Sequence, residues 1–349
     1  MSSLDTKMSL KDCRLRLLNR MLDLVWSQWT TLGISGNARP VEKWVLDPEA
    51  LVLFTCTVGR YEPRIFDSML EWLSFNQRLL NIQRLKTINR RGDFKGKQLL
   101  AAIAHLLMKP ASRSKWERLS EEIFSDSARS EQLFKLKDGS PQPQLGDSDD
   151  AFEKAGYIRR KFRRREAVVQ FNPDLSANLI LKLRALLGLN SRCELITYLL
   201  THKEANPTEI ASVTGYSSKT IYNAISDMYM SGKLIKRVSG KESLYSFGDD
   251  SWEKFLCPAG RTADWMDWPK ALRALESIWM ALNNPSLENE PISTIHGELR
   301  LTIHKVLPQL QQTAPLQSAR LKRAIQLPGL EFEELCGLLC DLVEFYETG

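Results

Sequence analysis

Lys219, Asn223 and Ser226 follow one another at spacings of four and three, so on a helix they share one face, with Thr220 and Tyr222 on its flanks. A lysine, an amide and hydroxyls in that arrangement can meet base edges and phosphates in the major groove of DNA. Ile221, Ala224, Ile225 and Met228 fall on the opposite side and read as core. A second concentration of chemistry is RRKFRRR, residues 159–165, six cations around the single Phe162. Cations this close repel one another unless a polyanion is present, and the arginine fork suits phosphate. Arg159, Arg160, Arg163, Arg164 and Arg165 are therefore expected to contact phosphates, with a solvated loop as the plain alternative.

Catalytic chemistry is not legible. GDFKGKQ departs from a phosphate-binding loop, being one residue short and carrying Gln98 where a magnesium-binding hydroxyl belongs. His105 and His202 read as structural, and His296 and His304 stand eight apart with no second ligand type between them. The six cysteines show no CxxC spacing and read as reduced, packed thiols. The expectation is a protein that is no enzyme and needs no cofactor or metal.

The elements that must carry the groove-facing residues lie between Ser191 and Phe247. Ser191 and Glu194 stand in capping-box register ahead of an apolar helix. Pro207 opens a short helix that Gly215 ends, Ser217 caps the next, and Gly232 closes it. KLIKRV and SLYSF read as strands joined by SGKE. Ala211 precedes Gly215 by four residues and Ile221 follows it by six. Alanine lets two helices approach, glycine permits a turn at positive φ, and the aliphatic side chain fills the angle between them.

On these residues, above all TIYNAISDMYMSGKLIKRV and the SGKE turn, 191–247 resembles the winged helix-turn-helix of the multiple-antibiotic-resistance and arsenical-repressor regulators. The resemblance covers about one sixth of the chain. It implies a recognition helix beginning near Ser217 and a wing on backbone or minor groove. The contacts it implies are Ser217, Ser218, Lys219, Thr220, Tyr222 and Asn223, with Lys241 in the wing; Ser226 comes from the helix face itself.

Around this unit the chain reads as mainly α. A helical N-terminal domain spans 1–137, a linker 138–150, a basic segment with a connecting helix 151–190, the winged helix 191–250 and a helical C-terminal domain 251–349. A shift of 156 residues lays Gly59, Ile65, Met69 and Trp72 on Gly215, Ile221, Ile225 and Met228. That suggests a second, degenerate winged helix around 49–90, with 80–97 as its wing and Phe66, Leu70 and Leu73 on its outer side. Trp265 and Trp268 could line an effector pocket, though a packed core is the plainer use. No effector is identified.

Residues 151–170 carry seven basic and two acidic side chains, whereas 251–349 carry nine and thirteen. A middle that meets polyanion and an end free for protein contacts follow from that asymmetry. The Leu335 to Val343 stripe and the Phe66 face are the expected seats of a homodimer. The start lacks an apolar signal core and no stretch is long enough to span a membrane, giving a cytoplasmic expectation. The function expected is sequence-specific binding of double-stranded DNA by a transcriptional regulator. A replication initiator, or an assembly protein whose winged helices bind protein, is the alternative.

Overall fold

The computed structural model describes residues 8–108, 116–120, 130–257, 260, 262–327 and 329–348, and it is mainly helical. Helix α1 (Leu10–Thr31) starts at Ser9, whose hydroxyl accepts from the Asp12 amide while the Asp12 carboxylate accepts from the Ser9 amide. α2 (Pro48–Val58) and α3 (Pro63–Asn76) each open on proline, as the sequence indicates. Every residue of α2 is buried, as expected of a helix apolar almost all round. It lies among α1, α3, α4 (Ile82–Gly92), α5 (Lys97–Leu107) and α12 (Trp268–Leu282).

The second winged helix is not present. Residues 82–92 form α4 where the wing was expected. Gly59 has φ −65°, an ordinary right-handed value, and so does not make the positive-φ turn of Gly215. Phe66, Leu70 and Leu73 are fully buried, which removes them as a dimer face.

After α5 come a two-residue strand β1 (Glu131–Gln132), the short α6 (Asp150–Lys154) and β2 (Tyr157–Ile158), which pairs in parallel with β1. The expected linker 138–150 does not separate two bodies. It turns back through bridges Lys135 to Pro141 and Ser148 to Arg160, and Asp149 caps α6. Leu133 and Phe134 before it and Phe152 and Tyr157 after it belong to one core.

That core also takes in α12, α13 (Ile292–Thr313), α14 (Pro315–Gln326) and α15 (Phe332–Thr348), so the expected separate C-terminal domain completes the N-terminal one. α15 packs along α1. Leu335, Leu339, Leu342 and Val343 are buried in the large core, and the stripe is core rather than an interface. Trp268 is core as well, its indole donating to the Val45 carbonyl at 2.8 Å. Cys13 and Cys336 form a disulfide across α1 and α15 with Cα atoms 5.9 Å apart, correcting the expectation of reduced thiols at those two positions.

A second, smaller core joins α7 (Leu179–Leu187), α8 (Ser191–Thr201), α9 (Pro207–Thr214), α10 (Ser218–Met230) and an antiparallel hairpin, β3 (Leu234–Ser239) with β4 (Glu242–Phe247). A short α11 (Ser251–Leu256) leads back to the larger body. Among the described residues no helix is long and apolar enough to cross a membrane.

Candidate nucleic-acid interface

α9 and α10 are built by local signals. Asn206 accepts from the Glu209 amide at 2.8 Å and Pro207 starts α9. Gly215 takes φ +82°, the left-handed turn that glycine adopts without penalty. The Ser217 hydroxyl then accepts from the Thr220 amide at 3.1 Å to open α10. Ile210, Ala211, Ile221, Ala224, Ile225 and Met228 are buried against one another. α8 starts differently from its sequence signature. Asn190 is the cap, and Glu194 turns inward, fully buried, to Arg184 at 2.6 Å.

The outer side of α10 gathers the expected contacts. Ser217, Ser218, Lys219, Thr220, Tyr222 and Asn223 are exposed, and Ser226 is half-buried beside them. Asp227 would oppose a polyanion, but it is paired with Arg192 at 2.5 Å. The hairpin places Gly240 (φ +60°) and the exposed Lys241 at its tip. Leu234 and Tyr245 are buried beneath it, and Tyr245 exchanges backbone hydrogen bonds with Ala205 at 2.9 and 3.0 Å. The wing-like hairpin is thus tied to the loop before α9. Arg237 on β3 is paired with Glu204.

The turn is mounted on a buried ionic cluster. Arg84 of α4 donates through Nε to the Thr214 carbonyl at 2.7 Å and through Nη1 to Asp47 and Glu49 at 2.7 and 2.6 Å. Arg184 bridges Glu49 at 2.8 Å and Glu194 at 2.6 Å. Tyr216, next to the turn glycine, donates to Glu194 at 3.2 Å and accepts from Asn81 at 2.7 Å. Burial and the Glu194 charge push its phenol well up, so it stays a neutral donor. Burial alone would raise the Asp47 carboxyl, but the Arg84 charge and hydrogen bonds outweigh it and hold the carboxyl low. Sequence reasoning misses Arg84, Arg184 and their carboxylates. Asp47 and Glu49 are separated from Arg184 by more than a hundred positions, so no local pattern marks them.

The arginine run divides. Arg159 is 1% exposed, donates to Asp67 at 2.8 Å and lies over Phe134 and Phe152, so it is a core ion pair rather than a phosphate contact. Arg160, Arg163, Arg164 and Arg165 are exposed around a cleft of about 450 Å³ that Asp67 and Asp147 also line. Arg165 faces Asp67 at 3.8 Å, and its backbone amide donates to Glu71 at 2.9 Å. The run does not adjoin the hairpin, or any other part of 191–247, through a hydrogen bond or ion pair among the described residues. Its partners lie on α3 and the 145–149 loop.

Protein-family models, curated proteins and solved structures provide no match to the chain.

Proposed function

We propose that residues 191–247 form a winged helix-turn-helix that binds double-stranded DNA, and that the chain is a sequence-specific transcriptional regulator. The observation that carries this reading is α10, capped by Ser217 after a positive-φ glycine, with an exposed face of Lys219, Thr220, Tyr222 and Asn223 and a basic hairpin tip following it. Such a face suits hydrogen bonding to base edges, while Lys241 suits backbone or minor-groove contact. The exposed Arg160, Arg163, Arg164 and Arg165 add a second cationic surface for phosphates. The reading includes a twofold homodimer, because one such unit covers few base pairs. Neither apolar face expected from the sequence is free to form it.

Selection from a random double-stranded pool tests the proposal. Enrichment of one motif, with affinity falling steeply as salt rises, is the expected result. A pool that stays random through repeated rounds would refute it. An assembly role gains some support from Met230 at the end of α10 and Ile235 and Val238 on β3, which are apolar and exposed. Failure of all DNA binding would turn the reading to that protein-contact role.

A further inference from the structure

Beyond the buried Arg159, the arginine run is held by its backbone rather than by its side chains. The Asp149 amide donates to the Arg159 carbonyl at 2.9 Å and the Lys161 amide to the Asp147 carbonyl at 3.1 Å. Further on, the Phe162 amide donates to Asp149 at 3.0 Å, and the Arg165 and Ala167 amides converge on Glu71 at 2.9 and 3.2 Å. Between those two amides Glu166 takes φ +56°, a left-handed value that residues other than glycine seldom adopt. Two buried carboxylates, Asp149 and Glu71, are thus engaged by backbone amides and not by guanidinium groups. The anchoring fixes where the cationic side chains start and leaves their charge unanswered.

Those side chains meet at one cleft. Arg160, Lys161, Arg163, Arg164 and Arg165 line its volume of about 450 Å³, against the carboxylates of Asp67 and Asp147; Glu166 does not line it. Asp67 is already held by the buried Arg159 at 2.8 Å, and Arg165 approaches it only to 3.8 Å. Among the described residues no carboxylate lies within ion-pair distance of Arg160, Lys161, Arg163 or Arg164. Arg164 lies over the exposed ring of Phe75 at 5.2 Å, a contact that uses the flat face of the guanidinium and leaves its N–H edge for an anion. With Asp67 answered by Arg159, five cations face the single charge of Asp147. That excess is well beyond the charge of one phosphate group, about −2. Like charges fixed this close repel, and several linked phosphates relieve the repulsion. The volume is that of a small-molecule site. A concave wall surrounds a compact phosphate chain on several sides, whereas the convex side of a duplex touches only its rim.

We propose that this cleft binds a compact oligophosphate, a chain of two or more linked phosphates either free or carried by a small molecule. Arg160, Arg163 and Arg164 are its forked donors, and Lys161 and Arg165 complete the charge. The inference rests on the phosphate role given above to these arginines and not on α10, so it stands if α10 reads no DNA. Where DNA also uses these cations, the two ligands compete for them.

Calorimetric titration of the full chain tests it, without DNA or divalent cations and at fixed ionic strength in chloride, with tripolyphosphate, ATP and orthophosphate as separate probes. Saturable binding of tripolyphosphate is expected, with orthophosphate weaker by about tenfold or more because it carries less charge. The ratio of ATP to tripolyphosphate affinity tells whether the cleft prefers a carried chain or a free one. Arg160→Ala and Arg163→Ala should each weaken tripolyphosphate by about fivefold or more. Their melting temperatures should match the parent, since both side chains are exposed without ion-pair partners among the described residues. Lys203→Ala, which removes an exposed cation between α8 and α9, should bind as the parent does. No saturable tripolyphosphate binding up to about 10 mM overturns the proposal. Orthophosphate binding as tightly as tripolyphosphate, or an equal loss in Lys203→Ala and Arg163→Ala, does so too. If the titration fails while replacing Arg163, Arg164 and Arg165 still lowers the salt slope of DNA affinity, these arginines serve the duplex alone, and the proposal falls without the DNA reading.

Discussion

Arg184 and Arg84 sit where water does not reach, and each is held by two carboxylates. Such a cluster gives little net stability when intact, but removing one member leaves uncompensated charge. Arg184→Met therefore should cost about 3–5 kcal/mol by leaving buried Glu194 without its guanidinium and Glu49 with Arg84 alone, measured as a shift in the urea midpoint. A change below about 1 kcal/mol would show that the cluster is not the mount of the turn. Asp47 adds a pH signature. Its carboxyl is held below the ordinary value near 3.9, so its contribution is complete above that pH and is lost as pH falls through the depressed folded value. Asp47→Asn should accordingly flatten the fall in stability below about pH 4.

At the scale of elements, local signals are readable and distant ones are not. Pro207, Gly215, Ser217 and the Ile221 to Met228 face act within a few residues of themselves, and each stands where the sequence places it. Glu194 has the right spacing for a capping box, yet its carboxylate goes to Arg184 because the charge of a buried guanidinium outweighs a cap hydrogen bond. Gly59 copies the position of Gly215 without its conformation, since the chain runs on from α2 into a tight right-handed turn over Gly59–Tyr61, and α4 forms where a wing would need strands. The arginine run reads as one unit in the sequence because its partners Asp67 and Glu71 are about ninety positions away. Its exposed members make a separable prediction. Replacing Arg163, Arg164 and Arg165 with Ala should weaken binding to all DNA sequences alike, and the slope of log affinity against log salt should fall by about 0.9 for each phosphate no longer neutralised. An unchanged slope returns these residues to a solvated loop.

For the whole molecule, the two chain ends close a single large core, and Cys13 and Cys336 tie them across 323 positions. A cross-link over so long a loop restricts the unfolded chain, and its loss should cost about 2–5 kcal/mol. Denaturation with and without reductant checks this, with a Cys13→Ser, Cys336→Ser variant expected to be insensitive to reductant. Equal midpoints for the parent chain in both conditions would contradict it. The proposed homodimer should appear in light scattering at about twice the 39.9 kDa chain mass at micromolar concentration. A single-chain mass there would refute it.

The central claim, that the outer face of α10 reads DNA sequence, is tested most directly by comparing affinity for a selected site and for a scrambled duplex. Asn223→Ala and Lys219→Ala should each lose about 1–3 kcal/mol on the selected site and much less on the scrambled one. Their melting temperatures should match the parent, since both side chains are exposed. Full affinity and full discrimination in both variants would contradict the account.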